Sequence, residues 1–229
     1  DSGRDAFKVL RCEDTGSGCT PSLTNDEVAN SPAGYADSLD ALWKMNEPMW
    51  DDNASTFEVV DSSGNGNHGN SFNGAAITTS SKLGYGAGEF DGVNDYLTTN
   101  LAVDQSNSTN GVTFEAWVYP RRTNDNNYHF VMSTSSGSYD YDLGFGYLDD
   151  INGHWYVDRV KGRSSTGDPV YFDQWQHMVL VFDSTGIRFY RNGLLIYSSA
   201  DIAYEVNSSL TIGREGDTNG RYFYGNLDN

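Results

Sequence analysis

Apolar and polar residues alternate in short runs along most of this chain, and turn residues separate the runs. Alternation with period two marks a strand that buries one face. The clearest case is GVTFEAWVYP, residues 111–120. There Val112, Phe114, Ala116 and Val118 share one face, and Thr113, Glu115, Trp117 and Tyr119 share the other. Similar runs are DALWKMNE (40–47), GEFDGVNDYLTT (88–99, two strands about an Asp-Gly turn), YHFVMSTS, YDLGFGYL and HWYVDRVK. QHMVLVFD followed by IRFYRNGLLIYSS predicts a hairpin about Asn192-Gly193, a pair that accepts the positive φ of a tight turn. SSLTIGRE and YFYGNLD close the chain. About a dozen short strands with no amphipathic helix predict an all-β, antiparallel two-sheet sandwich.

The first 34 residues break this rhythm. AFKVLRC (6–12) predicts one strand, and the rest is irregular, with one helical turn expected after Thr24. The expected organisation is an N-terminal extension, 1–34, and a main domain, 35–229. Cys12 and Cys19 flank a short polar loop. A Cys12–Cys19 disulfide would contribute roughly 2.5 kcal/mol on the chain-entropy account and implies an oxidising compartment. Two free thiols are the alternative.

Composition strengthens the β reading: 15 Tyr, 11 Phe, 5 Trp and 25 Gly favour strands and turns. The net charge of −18 argues against nucleic acid and anionic membrane surfaces as partners. No apolar run has the length of a membrane-spanning helix, so no membrane insertion is expected. The polar start, DSGRD, reads as that of a mature or trimmed chain.

Six pieces in order carry a family likeness: ALWKMNE, DSSGNGNHG, GEFDGVNDYLTT, VTFEAWVYP, WQHMVLVFDSTGIRFYRNGLLI, and LTIGRE with YFYGNLD. Over residues 35–229 the chain resembles the LamG-like jelly-roll domains of the concanavalin A-like lectin/glucanase superfamily. The resemblance implies two curved antiparallel sheets, an extracellular or cell-surface setting and, often, carbohydrate binding. It does not set function, because one fold carries lectins, glycanases and structural modules.

Candidate chemistry follows. DSSGNGNHGN (61–70) is rich in oxygen ligands, and calcium takes six to eight of them. The resemblance implies a structural Ca2+ site from Asp61, the loop about Asn65 and His68, and Asp228 on the last strand. The plainer reading is a turn capped by Asp61. Asp91 and Asp95 are a second acidic pair, more simply explained by turn hydrogen bonds. Sugar faces use aromatic rings stacked on pyranose rings, with polar groups at the rim. Trp117, Tyr119, Tyr139, Tyr141 and Trp155 are the candidates, whereas Trp175 matches the family's hairpin tryptophan and is expected in the core. The Glu-x-Asp-x-x-Glu pattern of the superfamily's glycanases does not occur, so no enzyme activity is expected.

The family's last motif continues into a further strand, and here GNLDN is the end of the sequence. The chain could be clipped from a longer protein, or the N-terminal run could supply that strand within the chain. Alternatively, residues 5–12 could supply it to a neighbouring copy. The resulting expectation is a calcium-stabilised glycan-binding or adhesion module. A structural subunit of a surface filament is the alternative, and a polysaccharide-degrading enzyme is the weaker third.

Overall fold

The computed structural model describes residues 7–13, 39–52, 56–103, 110–135, 143–159, 162–201, 208–216 and 220–229, with backbone alone at 7–13, 110, 135 and 208. The strands in chain order begin with β1 (Phe7–Glu13), β2 (Leu39–Trp43), β3 (Gly69–Phe72), β4 (Ala76–Thr78), β5 (Ala87–Asp91) and β6 (Tyr96–Val103). Next come β7 (Asn110–Pro120), β8 (Tyr128–Ser135), β9 (Gly144–Leu148), β10 (His154–Arg159) and β11 (Gly162–Pro169). The last are β12 (Gln176–Asp183), β13 (Gly186–Arg191), β14 (Leu194–Ser199), β15 (Ser208–Ile212) and β16 (Tyr224–Asp228). The described residues contain no helix.

Two antiparallel sheets form a sandwich. One runs β14-β13-β12-β7-β16-β5-β4, with β1 also paired to β7 and β2 paired to β1. The other runs β11-β10-β9-β8-β15-β6-β3. The predicted alternation of β7 holds: Val112, Phe114, Ala116 and Val118 are all buried in the core. They pair with Phe182, Leu180, Met178 and Gln176 on β12. The hairpin between β13 and β14 turns at Asn192 (φ 50°) and Gly193 (φ 79°), as the Asn-Gly pair predicts.

From the opposite sheet come Phe145, Tyr147, Trp155, Val157, Leu210 and Ile212, all in the same core cluster. Tyr147 is fully buried at one end of it, edge-on to Trp155 (5.9 Å), Phe172 (5.6 Å) and Phe223 (6.2 Å). Its hydroxyl is satisfied by the Arg121 carbonyl at 3.1 Å. Such edge-to-face packing adds a modest increment to the area term that dominates burial.

β1 occupies an interior position. Lys8–Glu13 run antiparallel along Glu115–Asn110 of β7, and on the other side β1 pairs with β2. β16 uses the same edge of β7, from Pro120 to Trp117. β1 therefore continues the line of β16 along β7, within one chain. Residues 7–13 belong to the sheet. The expected helical turn after Thr24 and the Cys12–Cys19 pair lie outside the described residues and side chains.

Candidate functional site

The outward face of the nine-stranded sheet is set by the second phase of β7. Because successive side chains alternate, Glu115, Trp117 and Tyr119 must point away from the core that Ala116 and Val118 enter. Both rings are half-buried. Trp117 pairs across to His177, whose ring lies 5.0 Å away, and on the other side to Asp228. Tyr119 meets Trp175 edge-on at 5.4 Å. The rim is polar and charged. Arg121 pairs with Glu89 at 3.1 Å and lies 5.9 Å from the Tyr119 ring. His177 Nε2 lies 2.9 Å from Glu115 Oε1. The exposed Lys82 places its ammonium 4.6 Å from the Trp117 ring. The buried Asn226, opposite Tyr119, donates to the Ser80 carbonyl at 3.1 Å. This surface offers flat apolar rings beside hydrogen-bonding groups of both signs.

Two tryptophans exchange the places expected of them. Trp155, expected at a binding surface, has no exposed area. In β10 it shares the inward phase with Val157, and its Nε1 donates to Gln176 Oε1 at 3.4 Å. Trp175, expected in the core, lies half-buried in the turn before β12 and outside the core cluster. Gln176, next in sequence, turns inward in its stead. Tyr139 and Tyr141 lie outside the described residues.

The 61–70 loop is organised by its own hydrogen bonds. Asp61 Oδ1 accepts from the N–H groups of Leu42 (2.9 Å) and Ser63 (2.8 Å). Asp61 Oδ2 accepts from the Ser63 hydroxyl (2.9 Å) and the Asn67 N–H (2.8 Å). Burial pushes this carboxyl up, but the donors of Ser63, Leu42 and Asn67 outweigh it and hold it below the usual range. The Asn65 and Asn67 amides donate to the carbonyls of Leu39 (2.6 Å) and Asp40 (2.8 Å). His68 Nδ1 accepts from the Asp61 N–H at 3.0 Å. Asp61, Asn65 and His68 thus gather about the end of β2. Asp228 anchors another segment: its Oδ2 accepts from Lys82 (2.7 Å) and Leu83 (2.8 Å).

Asp91 and Asp95 form a turn. Asp91 Oδ1 takes the Val93 N–H at 2.8 Å, and Asp95 Oδ2 takes the Asp91 N–H at 2.9 Å. Asp95 is pushed up to about 6, chiefly by burial and further by Asp91, Asp52 and Glu89.

A further cluster, absent from the sequence expectations, lies on the outward face of the seven-stranded sheet. Glu215 is buried and ion-paired to both Arg163 and Arg221. Arg163 lies over the rings of Tyr128 (4.8 Å) and Phe130 (5.0 Å), and Tyr156 meets Tyr128 edge-on at 5.1 Å. These residues come from β8, β10, β11 and the segment after β15, so no local motif marks them.

A profile of the Concanavalin A-like lectin/glucanases superfamily matches residues 91–229. The chain belongs to that superfamily. The strands before Asp91 complete the sheets that the matched region builds. A search of curated proteins finds no match. Among solved structures, one similar fold is domain 4 of AbnA, a GH43 extracellular arabinanase from Geobacillus stearothermophilus, in complex with arabinotriose. It is 18% identical, with 73% of this chain and 82% of that chain covered and a TM-score of 0.55. Another is the enzymatically active domain of tailspike protein 2 from Bacteriophage CBA120. It is 14% identical, covers 62% of this chain and 24% of that chain, and has a TM-score of 0.50. At these identities the likeness is one of fold.

Proposed function

We propose that the domain is a carbohydrate-binding module whose ligand lies on the outward face of the nine-stranded sheet, across Trp117, Tyr119 and Trp175. One observation carries this reading. Two half-buried rings, two residues apart on β7, share a face with a third ring and with the Glu89–Arg121 and Glu115–His177 pairs. The rings match the apolar faces of pyranose or furanose units, and the paired groups match hydroxyls. Lys82, on an exposed stem, can swing from Trp117 to admit a ligand or bind an acidic sugar. The setting is extracellular or at a cell surface, where adhesion to polysaccharide is the use of such a module. It binds without catalysis.

A structural calcium at Asp61, Asn65, His68 and Asp228 remains a separate proposal. It requires the cation to compete with the four donors already on Asp61. Assembly through strand addition by residues 5–12 is the alternative function. It is favoured by the position of β1, an interior strand joined to β2 only through residues 14–38.

The test is a glycan array followed by calorimetry, with arabinotriose in the panel because the arabinanase domain of like fold binds it. Trp117→Ala and Tyr119→Ala are each expected to weaken binding at least about tenfold with little change in melting temperature. Blanks across the array with folded protein, or binding unaltered in both variants, would overturn the reading and favour assembly.

A further inference from the structure

The segment joining β7 to β8 brings Asp125 beside His129 of β8 and Asp149, which follows β9. One carboxylate oxygen each of Asp125 and Asp149 and a ring nitrogen of His129 lie within 4.8 Å of one another. Backbone bonds position them: Asn126 N–H donates to the Asp149 carbonyl (3.0 Å), and Asp149 N–H donates to that of Asn127 (2.9 Å). His129 lies opposite Tyr147 on β9 and stacks on its ring at 5.1 Å, with 1% of its surface exposed.

The histidine shows which nitrogen is available. Its Nδ1 lies 2.6 Å from the Tyr222 carbonyl oxygen. A carbonyl only accepts, so Nδ1 carries a proton, and a neutral ring keeps its lone pair on Nε2. Nε2 in turn faces Asp125 Oδ1 at 3.1 Å and the Thr123 hydroxyl at 3.3 Å. A lone pair facing a carboxylate needs a positive charge between them, either a second ring proton or a cation.

Asp149 supplies the second observation. Its Oδ2 is satisfied by the Thr123 hydroxyl and the Asn124 N–H, both at 2.9 Å, as well as by the Thr123 N–H. Its Oδ1 is buried and accepts no hydrogen bond. Arg122 Nη1 stands 3.6 Å away, beyond hydrogen-bond range. Arg122 therefore offsets part of the charge at ion-pair distance, but the buried oxygen still lacks a direct donor or ligand, which is costly.

We propose that Asp125, His129 and Asp149 are a three-ligand site for a divalent transition ion such as Zn2+. Zinc takes nitrogen and oxygen donors at about 2.0–2.2 Å in a tetrahedron, which sets neighbouring donors roughly 3.3 Å apart. The 3.1 Å separation of Nε2 and Asp125 Oδ1 fits that edge. The surroundings are those a metal site needs: a carbonyl holding the far ring nitrogen, and main-chain N–H groups orienting a carboxylate. Calcium suits it less, because one ligand is an imidazole and calcium prefers an all-oxygen shell. Asp125, with 42% of its side chain exposed, faces solvent and leaves the fourth position open to water or to an outside ligand. The ion would tie the 121–127 segment to the ends of β8 and β9.

The test uses the full chain, stripped with chelator and then titrated with Zn2+, Co2+ and Ca2+ alone. Expected results are one-to-one binding of Zn2+, tetrahedral Co2+ absorption bands, a higher melting temperature with Zn2+ and weaker binding of Ca2+. Asp125→Asn, on a solvent-facing side chain, keeps the fold and is expected to weaken Zn2+ binding at least about tenfold. His129→Gln is expected to abolish it, and His177→Gln, a control on a separate histidine–carboxylate pair, to leave it unchanged. Failure of the stripped protein to bind Zn2+, or wild-type affinity in either Asp125→Asn or His129→Gln, would overturn the proposal. So would a nitrogen NMR spectrum in which His129 keeps both ring protons after Zn2+ is added, because a histidine–aspartate ion pair would then supply the charge.

Discussion

Asp61 and Asp149 are both buried aspartates that hold a loop against the end of a strand, but the chain serves them differently. Both oxygens of Asp61 are engaged, by three N–H groups and one hydroxyl. The loop closes on its own carboxylate. Asp149 has its donors crowded on Oδ2, Oδ1 is buried without a hydrogen bond, and one oxygen of the carboxylate lies near His129 and Asp125. The lesson is that a Gly- and Asn-rich loop can supply its own carboxylate with donors, so that a cation there must compete with them. A less conspicuous loop can leave a buried carboxylate oxygen without a hydrogen bond, with only the Arg122 guanidinium at ion-pair distance.

Three substitutions press on this contrast. Asp61→Ala has the largest expected effect, a loss of roughly 3 kcal/mol in urea unfolding, because three N–H donors lose their acceptor at once. The sign with pH follows from a carboxyl held below its usual range in the fold. Its contribution is present above the unfolded pKa near 4 and is lost as pH falls through the lower folded value. The gap between wild type and Asp61→Ala should therefore narrow in acid; a gap that widens below about pH 4 would contradict the hydrogen-bonded assignment.

Asp149→Asn comes next. In metal-free protein it should cost about 1–2 kcal/mol, since the amide oxygen still accepts while the charge is gone. Added Zn2+ should raise the wild-type melting temperature and leave the variant nearly unmoved. If both respond equally, the two loops are alike and the contrast fails. Asp95→Asn is the smallest effect and has the opposite sign. Asp95 is pushed up to about 6, so ionising it works against the fold. That penalty is absent below about pH 4 and grows as pH rises through 6. Thermal melts at pH 7 should show Asp95→Asn more stable by about 1 kcal/mol, discounted for solvent screening, with the difference gone near pH 4.

Much of the fold was legible because the side-chain period of a strand is local. The two faces of β7, the Asn-Gly hairpin and the order of the later strands follow from residues within ten or so of one another. The tryptophans were harder. Trp155 is flanked by His154 and Tyr156 and Trp175 by Gln174 and Gln176, and the strand phase of β10 and the turn before β12 decide which is buried. The 61–70 loop was visible as a structured turn, but its ligand-like asparagines present their amide N–H groups to strand carbonyls, a direction that composition does not carry. The one weak signal for the other loop was two carboxylates and a histidine in TNDNNYH and LDD, too far apart in sequence to form a motif.

What the sequence by itself determined is everything with a short period or a short reach: the all-β class, most strand positions, the inward and outward faces, and the superfamily. The tertiary structure alone decided what depends on pairing across the sheets. It set β1 on β7 in line with β16, brought Arg163 and Arg221 onto one buried glutamate, and carried Asp149 from the end of β9 to His129 at the start of β8. Register places such residues together, and register is a property of the assembled sheet: shifting a pairing by one residue turns every side chain to the opposite face while the local pattern is unchanged.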